Sequence, residues 1–173
     1  MATKKTSMFT LTERITIAAG GTETFATIDL GSYVDVGDRQ ALQVHSVDFI
    51  FQGTTAADDV TVDLGAGREL ICQVTDLNRG GLVFANDRAL VASGHLNCDL
   101  QQGMTNAADL YPDNFGKGAD DGRYVVNDQL YVTGLATAIT NPCNITVRVN
   151  ASIVTLSAKD FMAIAIQSTA ADN

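Results

Sequence analysis

The 173-residue chain carries 20 acidic and 11 basic side chains, for a formal net charge of −9, and 46% of its residues are apolar. A chain of that size suits one domain that buries roughly 70% of its unfolded surface, so a core needs neither disulfides nor a metal. No stretch approaches the ~20 apolar residues of a spanning helix, and Lys4, Lys5 and Arg14 make no basic arm for phosphates, which argues against direct nucleic-acid binding.

Residues 1–7 are basic, with no apolar run of signal-peptide length behind them, so a flexible N-terminus and synthesis in the cytoplasm are expected. Alternating apolar and β-branched residues over 8–18 read as a strand, Gly20-Gly21 as a tight hairpin turn, and 22–30 as the returning strand. The run 41–52 slips its alternation between Val44 and Val47, which predicts a β-bulge. Asp58 and Asp59 precede a run at 60–64, which Gly65-Ala66-Gly67 joins as a hairpin to 70–74. Gly80-Gly81 leads into 82–84, and two short runs, 90–92 and 96–100, flank Ser93-Gly94.

Residues 105–123 form a long irregular segment rich in Asp, Asn and Gly. Asp113, Asn114, Asp120 and Asp121 offer the oxygen ligands that calcium prefers and are the candidate metal residues, as are Asp58 and Asp59. No EF-hand spacing supports them, and any exposed loop has this composition. From Ile145 to Ile153 odd positions are apolar and even positions polar, a strand with one wet face. Its expected partner is the run from Tyr124 or Leu130 to Ile139, through the Asn141-Pro142 turn. Ser157 with Asp160 three residues on resembles a capping box. It opens a short helix with Phe161, Ile164 and Ala165 on one face; the alternative is a buried strand. Residues 168–173 are expected to fray.

Catalytic chemistry finds little support. The two histidines, His45 and His95, are fifty positions apart and make no H-x-H metal spacing; His45 reads as a satisfied strand histidine. Cys72, Cys98 and Cys143 form no C-x-x-C pair and read as buried or half-buried thiols. There is no nucleophile elbow, phosphate loop or dinucleotide fingerprint, although a Ser-His-Asp or Cys-His set meets only in space. With no Trp, a sugar platform falls to Tyr111. The glycosylation patterns at Asn144 and Asn150 are read as chance.

In length, in its eight or nine runs from the 8–30 hairpin to the 145–153 strand, and in its lack of chemistry, the chain resembles single jelly-roll viral coat proteins. The resemblance implies an all-β single jelly-roll β-sandwich of about eight or nine antiparallel strands with a short C-terminal helix, spanning 1–173. It also implies a capsid subunit in a virion: no catalysis, no cofactor, many copies of itself as partner, and a second coat protein or an internal membrane as further partners. The missing basic arm departs from RNA-virus jelly rolls. Subunit-contact candidates are Phe9, Phe161, Met162, Ile164 and Ile166, with closure of the domain's own core as the alternative. The competing functions are a subunit of a cell-surface layer or extracellular filament, and a lectin-like sandwich.

Overall fold

In a computed structural model that describes residues 3–55, 68–98, 105–107, 114–116, 121–137 and 139–169, the alternating runs become two antiparallel sheets. The strands are β1 (Thr3–Lys4), β2 (Phe9–Ile17), β3 (Thr24–Asp29), β4 (Gln40–Gln52), β5 (Glu69–Thr75), β6 (Leu90–Cys98), β7 (Thr105–Ala107), β8 (Arg123–Val125), β9 (Gln129–Ala136) and β10 (Cys143–Thr155). They are followed by the helix α1 (Ala158–Thr169). One sheet runs β2-β10-β4-β8, with β1 extending β2's edge along β10; the other runs β3-β9-β5-β6-β7. Leaving aside β1 and β7, this is the jelly-roll order, two Greek keys folded into a double sheet.

In that order nearly every connection crosses from one sheet to the other; of the eight strands only β5 and β6 are both consecutive and paired. Two expected hairpins are corrected by it. Gly20 and Gly21 do adopt positive φ, 92° and 77°, but the turn delivers β3 to the opposite sheet, where it pairs with β9. Likewise β10 pairs with β2 and β4, not with the run before the Asn141-Pro142 turn. The physical reason is shared: β2 and β3 each carry an apolar face, and a crossing turn sets those faces against each other instead of side by side.

The predicted bulge is present. Ser46 pairs with Asn150 and Val44 with Ala151, which leaves His45 as the extra residue on β4. The two runs around Ser93-Gly94 are one strand, β6, and 82–84 is loop. Val83 is held by the Gln73 side chain, donating its N–H to Oε1 (2.8 Å) while its carbonyl accepts from Nε2 (2.9 Å), so no ladder forms there. Part of the irregular 105–123 segment is strand: β7 pairs with β6, and Asn114 bridges to Ser46. The run 60–64, Asp58, Asp59 and Tyr111 lie outside the described residues.

The core fills the space between the sheets, with Ile15, Ile17, Val47, Ile145 and Val147 facing Leu70, Cys72, Val74, Leu130 and Val132. A row of small residues crosses the middle of the second sheet: Gly94 and Gly134 each lie opposite Cys72 on the flanking strands. A Cβ on Gly94 would meet the Phe49 ring and its root, and one on Gly134 would meet the Ile15 Cδ1 atom. Large side chains of one sheet thus occupy the hollow left by small ones of the other, as close packing of an interior requires. All three cysteines are buried as free thiols, and burial pushes the Cys72 thiol far up.

On the far face of the first sheet, α1 covers a second cluster. Phe161, Ile164 and Ala165 pack against Ala41, Val126, Val154 and Leu156. The helix starts as the capping box predicts: the Asp160 N–H donates to Ser157 Oγ (3.2 Å), and that hydroxyl donates to Asp160 Oδ2 (2.8 Å). The wet face expected for β10 holds as far as Asn150; beyond it Ser152 and Val154 are buried as well.

Candidate functional site

The bulge turns His45 outward from the core, where it meets Gln43 and Ser152. All three are buried, with Ser152 fully so. His45 Nδ1 lies 3.2 Å from the Gly116 carbonyl, which only accepts, so Nδ1 carries the proton and Nε2 faces Ser152 Oγ at 3.0 Å. Gln43 Oε1 competes for the same hydroxyl at 3.3 Å, and its Nε2 donates to the Asp121 carbonyl at 2.5 Å. A serine hydroxyl against a histidine nitrogen is the start of a nucleophile–base pair. Among the described residues no carboxylate backs the ring, whose Nδ1 faces a backbone carbonyl, and Ser152 is fully buried. The group instead ties the segments at 114–116 and 121–122 to β4, helped by the Phe115 N–H donating to the His45 carbonyl (2.8 Å).

Of the calcium candidates, Asp113 and Asp120 lie outside the described residues. Asn114 accepts the Gly116 N–H on its side-chain oxygen (3.1 Å), closing a turn, and the Asp121 carboxylate lies beside Gly116. No group of three or more His, Cys, Asp or Glu side chains gathers among the described residues. His95 pairs with Glu69 (3.0 Å) on the outer face of the second sheet.

A second polar cluster sits where β5 ends. Asp76 is 2% exposed, its Oδ2 is 3.4 Å from Arg123 Nη2, and its Oδ1 has no hydrogen-bond partner among the described residues. Arg123 also donates to the Arg88 carbonyl, and Asn127 Nδ2 donates to the Asp76 carbonyl (2.6 Å). Burial pushes the Asp76 carboxyl up to about 6, against the opposing pull of Arg123. The folded state therefore holds this proton more tightly than the unfolded chain, whose carboxyl titrates near 3.8. The stability contributed by this group is full below pH ~4 and is lost as pH rises through ~6, by about 3 kcal/mol for a shift of about two units. Asp76→Asn has no such proton, so its stability relative to wild type should rise by about 3 kcal/mol between pH 4 and pH 7. Urea unfolding of both proteins at the two pH values checks this; a difference that ignores pH would count against it.

The outer face of the second sheet carries an open cavity of about 460 Å³. Its floor is Phe25 and Thr27 of β3 beside Tyr131 and Thr133 of β9, direct cross-strand neighbours. Its wall is the β5–β6 loop at Arg79 and Gly80. That loop is fixed at three places: Gln73 clips Val83, Glu23 Oε1 accepts the Leu82 N–H (3.0 Å), and Arg79 bonds Asp87 through Nη2 (2.9 Å) and Nε (3.2 Å). Next to Val83 in this loop, Phe84 is 87% exposed. Nothing in the sequence patterning singles out this ring, because a lone aromatic beside Gly-Gly reads equally as a strand end.

The contact candidates separate. Phe9 packs on the main core and stacks on Tyr33, ring centroids 5.4 Å apart, and Phe161 and Ile164 face the second cluster. Met162 and Ile166, one turn apart, point away at 57% and 60% exposure.

No family model and no curated protein matches the sequence. Among solved structures, the chain is similar to the triple jelly roll protein of an archaeal virus, at 13% identity and TM-score 0.42 over 90% of this chain and 30% of that one. A Sulfolobus Turreted Icosahedral Virus protein matches at 15% identity and TM-score 0.41, over 87% of this chain and 31% of its own. The chain thus spans under a third of these two proteins. The VP1 protein of Merkel cell polyomavirus, as an unassembled pentamer, matches at 6% identity and TM-score 0.46 over 90% and 97% of the two chains.

Proposed function

We propose that the chain is a viral coat subunit that assembles with copies of itself into a closed shell, with no catalytic role. The observation that carries this reading is a jelly roll whose core is filled while large apolar side chains stand outside it, Met162 and Ile166 on α1 among them. Exposed large apolar side chains grouped in this way mark interaction surfaces. A net charge of −9 makes copies repel at long range, so cohesion falls to apolar contacts and screening salt favours it. With no basic cluster for phosphates, the genome is held by other proteins or enclosed by an internal membrane.

The test is the mass distribution across salt and concentration, with electron images of the heaviest fraction. Particles are expected, growing with salt. The double variant Met162→Asp, Ile166→Asp should keep the wild-type unfolding midpoint and lose the particles. Phe161→Asp should instead lose about 3 kcal/mol of stability, because it sets a charge against Ala41 and Val154. A wild-type monomer at every salt and concentration would overturn the proposal.

A further inference from the structure

We propose that the Phe84 ring of one copy seats in the cavity over β3 and β9 of a second copy, and that two-fold symmetry makes the contact twice. The inference deepens the coat-subunit reading and rests on it. Knob and cavity belong to one patch: the loop that walls the cavity at Arg79 and Gly80 carries Phe84 four residues on, next to Val83, which Gln73 holds beside Thr133 of the floor. A patch holding both halves of a contact suits an isologous pair, in which each copy gives a ring and receives one.

The cavity offers what an aromatic ring needs. Phe25 is 55% exposed, so its ring is uncovered within one chain, and Tyr131 beside it supplies a second aromatic surface. Thr133 lies opposite Phe25 and Thr27 opposite Tyr131 in the strand register. The loop is fastened to the sheet by Gln73 and Glu23, so Phe84 is presented from a held backbone and loses little freedom on docking.

Charge favours a second copy as the occupant. Residues 76–89 contain two acids, Asp76 and Asp87, and two arginines, Arg79 and Arg88, so this loop is neutral on a chain of net charge −9. It is a place where identical copies approach without like-charge repulsion. Taking ~200 Å² per ring, the exposed fractions of Phe84 and Phe25 amount to roughly 570 Å² for the pair of copies. Stable specific interfaces bury ~1,200–2,000 Å². The isolated pair is therefore weak, and its occupancy rises where many such contacts act together, as in a shell.

The test places a benzophenone amino acid at position 84 and mixes such copies with isotopically heavy ones before illumination and peptide mapping. Links between copies are expected into 25–27 or 131–133, falling at least tenfold when Thr27→Arg blocks the cavity. Links confined to one copy, links to other segments, or no links would overturn the contact. Phe84→Asp, at an exposed position, should keep the unfolding midpoint and reduce particle yield at least tenfold. Particles forming equally well with Phe84→Asp would overturn this contact and leave the coat reading standing. A wild-type chain that makes no particles, together with benzophenone copies that link through position 84 into the cavity, would overturn the coat reading and keep the contact.

Discussion

Gly94→Ala should cost about 3 kcal/mol, the upper end of what overpacking a core costs. The added Cβ would lie 2.5 Å from Phe49 Cδ2 and 2.9 Å from its Cβ. A ring met at its root cannot swing aside, so the strand itself has to move, and both neighbours of Gly94 are held in the β5–β6 ladder. Gly134→Ala should be milder, about 1 kcal/mol, because the atom in the way is the far end of the Ile15 side chain, which has a rotamer to spare. Denaturant unfolding of both variants reads the difference. Phe49→Leu in the Gly94→Ala background should recover at least 1 kcal/mol relative to the sum of the single changes, as expected for two residues in direct contact. Equal costs for the two glycines, or strict additivity with Phe49, would mean that the sheets do not interlock at this row.

His45→Leu should remove about 2–3 kcal/mol and open one region selectively. The leucine fills the space but leaves Ser152 Oγ without its nearest partner and Gly116 O without its donor. Each buried polar group left unpaired costs ~1–3 kcal/mol. Because the ring fastens Gly116 to β4, amide exchange should rise at 114–116, with β5 and β9 unchanged. Uniform loss of protection would assign His45 to the core instead of to a local clasp. Ser152→Ala should be milder, since Gly116 keeps its bond to the ring.

The bulge was readable because its cause is local: the apolar phase of residues 42–51 breaks at one point, and His45 is the residue left over. The helix start was readable for the same reason, through Ser157 and Asp160, three positions apart. Gly20-Gly21 also announced its backbone correctly, since positive φ is a property of the residue. What those glycines could not announce is the partner of the strand that follows. A tight turn and a sheet-crossing turn use the same residues, and the choice depends on which apolar faces meet.

The sites follow the same division. A helix opened by Ser157 sets Phe161, Ile164 and Ala165 on one face, and the seat of α1 on Ala41 and Val154 decides that this face is covered while Met162 and Ile166 stand exposed. Asp76 and Arg123 are 47 positions apart, and His45 and Ser152 are 107. No spacing rule links them, because the jelly-roll connectivity brings them together. By itself the sequence determined the all-β class, the alternation of β2 and of β10 as far as Asn150, the bulge and the helix cap, all set by neighbours along the chain. Strand pairing, the polar clasps, the Phe84 knob and its cavity were decided by the tertiary structure, because each depends on faces that meet only when the two sheets close.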